Sequence, residues 1–144
     1  MKYRKNLRLP EYNYSGNEYY FITICSGGGH SLCMNYREII EKNLKKLEHH
    51  RGIKIDYSVI MPDHVHFIVA ADNTVISICR IIQQLKSVTT LEIKRAGFSS
   101  RRFWQPNYYE HVIRNDKALA AIREYITNNP VADPPVWEKI YTSL

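Results

Sequence analysis

Two strand-like segments joined by a two-residue turn constrain the fold more than any other feature of this sequence. Residues 53–61 and 64–70 are rich in apolar and β-branched residues, and Pro62-Asp63 between them is typical of a tight turn. The pair predicts an antiparallel hairpin in the middle of the chain. The second segment is apolar on both faces beyond its first residues, which indicates an inner strand of a sheet.

The segments on either side of this hairpin predict an alternation of strands and helices. Including the hairpin, the predicted strands span residues 19–25, 53–61, 64–70 and 108–114. Apolar residues at helical spacing predict helices over residues 36–51, 76–94 and 117–128. The order β-α-β-β-α-β-α predicts an α+β protein with a ferredoxin-like (split βαβ) antiparallel sheet, helices packed on it and an extra C-terminal helix.

Length and charge narrow the class of protein. A chain of 144 residues fits one domain over residues 1–144, with a basic arm at 1–18 and a tail at 132–144. No segment approaches the roughly twenty apolar residues of a membrane span, and the start of the chain lacks a secretory pattern, so we expect a cytoplasmic protein. A net charge of +6 favours a nucleic-acid partner, although charge alone does not identify one.

A histidine pair stands at the start of the second hairpin strand. Side chains alternate along a strand, so His64 and His66 share one face while Val65 and Phe67 occupy the other. Two neutral imidazoles on a rigid strand can bind one metal ion. Together with an oxygen ligand and water or phosphate oxygens they suit Mn²⁺ or Mg²⁺, and Zn²⁺ or Ni²⁺ could occupy the site as well. The alternative is that both histidines are polar residues on a half-solvated strand face.

The last predicted helix carries a tyrosine on its apolar side. Ile122, Tyr125, Ile126 and Asn129 are spaced to share one helical face. Tyr125 is either a core aromatic residue with a satisfied hydroxyl or part of a polar site beneath the helix. An inward amide at Asn129 favours the site, because burying it without a partner costs about 1–3 kcal/mol. Its carbonyl oxygen would then be a third metal ligand beside the histidine pair.

Four ordered segments of the chain carry a family resemblance, and they span residues 59–69, 103–105, 109–115 and 124–131. Together they resemble the single-tyrosine transposases of the HUH endonuclease superfamily, and among these the REP-associated tyrosine transposases. The resemblance implies a metal-dependent enzyme that cleaves and rejoins single-stranded DNA at hairpin-flanked sites. It implies that Tyr125 is the nucleophile, that His64, His66 and Asn129 hold Mg²⁺ or Mn²⁺, and that Glu110 and His111 support the site.

The resemblance also implies DNA as substrate and leaves the assembly open. Relatives include dimers with shared sites and monomers, so a homodimer in which Tyr125 serves the partner's site is one alternative.

Residues expected to contact DNA are basic or aromatic: Arg4, Arg8, Arg101, Arg102, Trp104, Arg114 and Arg123. Further contacts are expected from Lys86, Phe103 and Tyr108.

Two other functions compete with the enzyme. A non-catalytic ferredoxin-like nucleic-acid-binding domain would present aromatic residues on an open sheet face and need no metal. A metal-storage or metal-sensing domain would need more cysteine or histidine ligands than this sequence offers. The paired histidines on one strand favour the transposase over both.

Overall fold

The computed structural model describes residues 18–74, 76–100 and 102–128, which form a sheet and three α-helices. The strands are β1 (Glu18–Cys25), β2 (Ile53–Ile60), β3 (His64–Ala71) and β4 (Tyr109–Ile113). The helices are α1 (Arg37–Lys46), α2 (Ile78–Arg95) and α3 (Asp116–Asn128). Most of the predicted arm at 1–18 and the whole tail at 132–144 lie outside the described ranges.

The strands form one antiparallel sheet in the order β2-β3-β1-β4. This confirms the predicted α+β, ferredoxin-like fold, in which the two strands of the central hairpin are neighbours. β3 is an inner strand, as its apolar residues on both faces indicate. The strand that carries the histidine pair is therefore held by backbone hydrogen bonds on both sides, which makes it a rigid support.

Alternation along the strands divides the core into two layers. Val65, Phe67 and Val69 of β3 pack with α1 and α2 on one face of the sheet. Phe21 of β1 and Ile68 of β3 pack with α3 on the other face. Side chains an even number of residues apart lie on the same face of a strand, so His64 and His66 lie with Ile68 on the face that α3 covers.

The ends of the helices follow local side-chain chemistry. Ser77 begins α2, where its hydroxyl oxygen accepts a hydrogen bond from the Arg80 backbone N–H, and Asn115 caps α3 by accepting from Ala118 N–H at 2.8 Å. The helix predicted over 36–51 is shorter: α1 ends at Lys46 and a 3₁₀ turn continues to His49. None of the described helices combines the length and apolar character that a bilayer span requires.

Glycine is required at the turn that leads into β2. Gly52 has a φ of +82°, and a Cβ placed there would collide with the carbonyl oxygen of Asp72. The N–H of Asp72 also donates to the Gly52 carbonyl at 2.8 Å, so the two backbones lie in direct contact. Gly52 therefore lets the start of β2 lie against the end of β3.

Candidate active site

The two histidines lie in contact on the face of the sheet that α3 covers. Their ring centroids are 4.5 Å apart, and the ring planes meet at 67°. His66 is fully buried, whereas the His64 side chain remains 25% exposed at the end of the strand. One imidazole is thus fixed inside the protein while its neighbour reaches the surface.

Nδ1 of each imidazole is within hydrogen-bond distance of an oxygen atom. The hydroxyl of Thr23, which lies opposite His66 on β1, is 2.8 Å from His66 Nδ1. The carboxylate of Asp63 in the hairpin turn accepts from His64 Nδ1 at 2.6 Å. Oxygen partners of this kind fix the orientation of metal-binding histidines in proteins. Sequence reasoning missed both roles: Thr23 meets His66 only through strand register, and Asp63, although next to His64, belongs to a Pro-Asp pattern that predicts only a turn.

Burial determines the protonation state of the inner histidine. Desolvation, and secondly the neighbouring His64, lower the pKa of His66 well below its usual value. His66 is therefore neutral at physiological pH. Neutral imidazole is the form that donates a lone pair to a metal ion.

Tyr125 lies against this pair in the same chain. Its ring centroid is 5.7 Å from that of His66, at an interplanar angle of 65°. α3 is held there by Ile122 and Ile126, which are buried against the sheet, while Tyr125 at the edge of this stripe is half-buried. The structure thus brings together three of the four residues proposed for the centre of the site.

The fourth, Asn129, lies one residue beyond the described helix, and its position is outside the described ranges. Within those ranges, no three His, Cys, Asp or Glu residues group closely enough to hold a metal ion. The assignment of His64, His66 and Asn129 as the three metal ligands therefore stays a prediction.

Glu110 and His111 are both buried on β4, which pairs with β1. His111 lies opposite Phe21 and so faces α3, whereas Glu110 lies opposite Ile22 and faces the α1/α2 layer. The two residues therefore belong to different layers. The supporting role expected for them stays a prediction.

The expectation that Trp104 stacks on DNA bases is wrong. Its side chain is only 4% exposed, and its indole N–H donates to the Thr89 hydroxyl at 2.9 Å within the α1/α2 layer. Phe103 and Tyr108 are buried in the same layer. A base cannot stack on a ring that already packs inside the core, so these residues stabilise the fold.

We expect Trp104→Phe to lower the free energy of unfolding by about 1–3 kcal/mol, because it removes a buried hydrogen bond and leaves a small cavity. Chemical denaturation measures this change. Affinity for single-stranded DNA should equal that of the wild type under conditions where both proteins are folded. Unchanged stability together with weaker DNA binding would contradict the core assignment.

The predicted DNA-binding cations separate into three groups. Arg102 and Arg114 are exposed and remain candidates for phosphate contacts, and Arg4, Arg8 and Arg101 lie outside the described residues. Lys86 instead donates to two backbone carbonyls, those of Gln105 and Asn107, and burial lowers its pKa to about 8. Arg123 is paired with Asp56, and the DNA contact expected from it stays a prediction.

A ferredoxin-like sheet with a histidine pair on an inner strand and a tyrosine helix against it is the arrangement that the resemblance to single-tyrosine transposases implies. A sequence model of the IS200-like transposases matches residues 14–129 of this chain. The protein therefore belongs to the IS200-like transposase family. This family places it among transposases, which are DNA-processing enzymes.

Individual relatives agree with this family. An uncharacterised protein of Haemophilus influenzae is 31% identical, over 95% of this chain and 91% of its own length. A second protein of that organism, provisionally named a REP-associated tyrosine transposase, is 26% identical over 81% of this chain and 71% of its own length. A REP-associated tyrosine transposase solved in complex with a REP hairpin shares the fold, with a TM-score of 0.70 and 23% identity over 91% of this chain and 73% of that one.

Proposed function

We propose that this protein is a metal-dependent transposase that cleaves and rejoins single-stranded DNA through a covalent bond to Tyr125. The observation that carries the proposal is the contact between the Tyr125 and His66 rings, 5.7 Å apart, in a chain of the IS200-like family. A tyrosine beside a histidine pair combines a nucleophile with ligands for a cation in one small site.

The chemistry of the two histidines suits a divalent cation. Thr23 and Asp63 engage Nδ1 of His66 and His64, so Nε2 is the nitrogen of each ring that would bind the metal. Burial keeps His66 neutral, and the family is generally metal-dependent. Bound Mg²⁺ or Mn²⁺ would polarise the scissile phosphate and offset the charge that develops on its oxygens. Asn129 is the proposed third ligand.

The reaction is a pair of phosphoryl transfers. The Tyr125 hydroxyl loses its proton, and the phenolate oxygen bonds to the phosphorus as the bond from phosphorus to the 3′ oxygen breaks. The products are a 5′-phosphotyrosine and a DNA strand with a free 3′-OH. Attack of a 3′-OH on the phosphotyrosine restores a phosphodiester and releases Tyr125. No nucleotide cofactor is needed, because the covalent intermediate retains the phosphoester bond.

Single-stranded DNA next to a hairpin is the proposed substrate. The relative solved with a REP hairpin supports this substrate class for the present chain. The excess of positive charge, +6 overall, and the exposed Arg102 and Arg114 suit a polyanionic partner. The competing non-catalytic domain is disfavoured because helices cover both faces of the described sheet, and Phe103 and Trp104 are buried.

Labelled DNA tests the proposal and the polarity of the link. A hairpin with single-stranded flanks is incubated with the protein and Mn²⁺, and the products are separated on a denaturing gel. We expect label at the 3′ end to migrate with the protein and label at the 5′ end to appear in a shorter free strand. EDTA should suppress both products. Tight DNA binding without an adduct on any of several hairpins would instead support the non-catalytic alternative.

A further inference from the structure

Arg123 lies two residues before Tyr125 and forms a bidentate ion pair with Asp56. Its Nε donates to one carboxylate oxygen of Asp56 at 2.7 Å, and its Nη2 donates to the other at 2.8 Å. Asp56 belongs to β2, so the pair joins α3 to an edge strand of the sheet. A bidentate pair of this kind fixes both distance and orientation, which a single contact does not.

Two tyrosine rings flank the same guanidinium. The Arg123 Cζ atom is 5.9 Å from the centroid of the Tyr19 ring on β1 and 5.4 Å from that of the Tyr57 ring on β2. Arginine is attracted to the faces of aromatic rings at such distances. Arg123 therefore contacts two strands of the sheet as well as its ion-pair partner.

An irregularity in β2 positions the carboxylate. The pairing of β2 with β3 shifts between Ile55 and Tyr57, so Asp56 has no partner in the register and is the extra residue of a bulge. A bulge bends the strand and re-aims one side chain. Here the re-aimed side chain is the one that meets Arg123. The strand thus departs from regular pairing at the residue that contacts the tyrosine helix.

We propose that the Arg123–Asp56 ion pair, with Tyr19 and Tyr57 around it, positions Tyr125 for attack by docking α3 onto the sheet of its own chain. We call these four residues the helix clamp. Arg123 acts through the placement of Tyr125 and does not contact phosphate, because its Nε and Nη2 groups already donate to the Asp56 carboxylate. The inference rests on the proposed function and implies that the site is completed within one chain.

Three variants distinguish a positioning role of Arg123 from a direct contact with phosphate: Asp56→Asn, Arg123→Lys and the double variant. We expect each single variant to slow adduct formation at saturating DNA about 10-fold or more, because small displacements of a reacting group can cost up to about 10²-fold. The dissociation constant for hairpin DNA should stay within about twofold of the wild type. The double variant should be no slower than the slower single variant, because both changes break one interaction.

Glu41→Gln is the matched control for the loss of one negative charge in Asp56→Asn. Arg37 forms an exposed i,i+4 pair with Glu41 on α1, in the opposite layer, so this variant should form the adduct at the wild-type rate. Hydrogen exchange provides a readout that does not need activity. We expect amides of residues 119–128 to exchange faster in Asp56→Asn than in wild type, with β1 and β3 unchanged.

Each of the following outcomes would contradict the proposed role of the helix clamp. If Arg123 binds phosphate, Arg123→Lys retains the rate and Asp56→Asn does not slow the reaction. If the pair only stabilises the fold, the melting temperature falls while the rate at saturating DNA on folded protein stays at the wild-type value. Unchanged exchange in 119–128 would show that the pair does not hold the helix. A wild-type protein that forms no adduct would refute the proposed function, and with it the catalytic role of the clamp, whichever way the exchange result falls.

Discussion

Tyr125→Phe is expected to abolish the covalent adduct with hairpin DNA. The substitution removes only the phenolic oxygen, which is the atom proposed to bond to phosphorus, and retains the ring that contacts His66 at 5.7 Å between centroids. Loss of a nucleophile removes the pathway itself, so strand cleavage should fall at least about 10³-fold. Denaturing gels of the labelled hairpin with Mn²⁺ measure the change.

A second tyrosine controls for the loss of a hydroxyl. Tyr36 packs against the α1/α2 layer, on the other side of the sheet from Tyr125, so Tyr36→Phe should form the adduct at the wild-type rate. Tyr125→Phe should still bind hairpin DNA with wild-type affinity, because its surface charge is unchanged. An adduct of normal yield in Tyr125→Phe would identify another nucleophile and refute the proposed mechanism.

His66→Gln is expected to lower metal-dependent cleavage at least about 100-fold. Removal of a group that only orients a metal ligand already costs 10–100-fold in affinity or activity, and His66 is proposed as a ligand itself. The stabilisation of the protein by added Mn²⁺, measured as a shift in melting temperature, should disappear with it. Adduct yield across a series of Mn²⁺ concentrations measures the catalytic loss.

His49 and Thr23 calibrate this result. His49 is exposed beyond the end of α1, so His49→Ala removes an imidazole without touching the site and should leave cleavage unchanged. Thr23→Val removes the oxygen 2.8 Å from His66 Nδ1 and keeps the ring, so its effect should lie between wild type and His66→Gln. A His66→Gln protein with the wild-type response to Mn²⁺ would exclude His66 as a metal ligand.

The sequence predicts the fold and the shared face of the histidines because both depend on local periodicity. Alternation along β3 places His64 and His66 with Ile68, and the spacing of Ile122, Tyr125 and Ile126 predicts the buried side of α3. Element order then predicts the ferredoxin-like sheet. Each of these inferences needs only neighbours a few residues apart, where backbone geometry fixes the direction of side chains.

The environment of the aromatic loop could not be predicted in the same way. Phe103 and Trp104 follow two arginines, which suggests an exposed nucleic-acid contact. In the structure this loop is joined to the end of β1: the Gly27 N–H donates to the Phe103 carbonyl at 2.6 Å, and the Gln105 N–H donates to the Cys25 carbonyl at 2.8 Å. These contacts join residues far apart in the sequence and place both rings in the core.

By itself, the sequence determined the order of the elements, the pairing of His64 with His66 on one face, and the tyrosine on an apolar helix. Only the tertiary structure decided that Tyr125 meets His66, that Thr23 holds the inner imidazole, and that Arg123 is committed to Asp56. The physical reason is the distance along the chain over which each effect acts. Periodicity fixes the face on which a side chain lies, but the partner it meets depends on strand register, a bulge and the packing of distant segments.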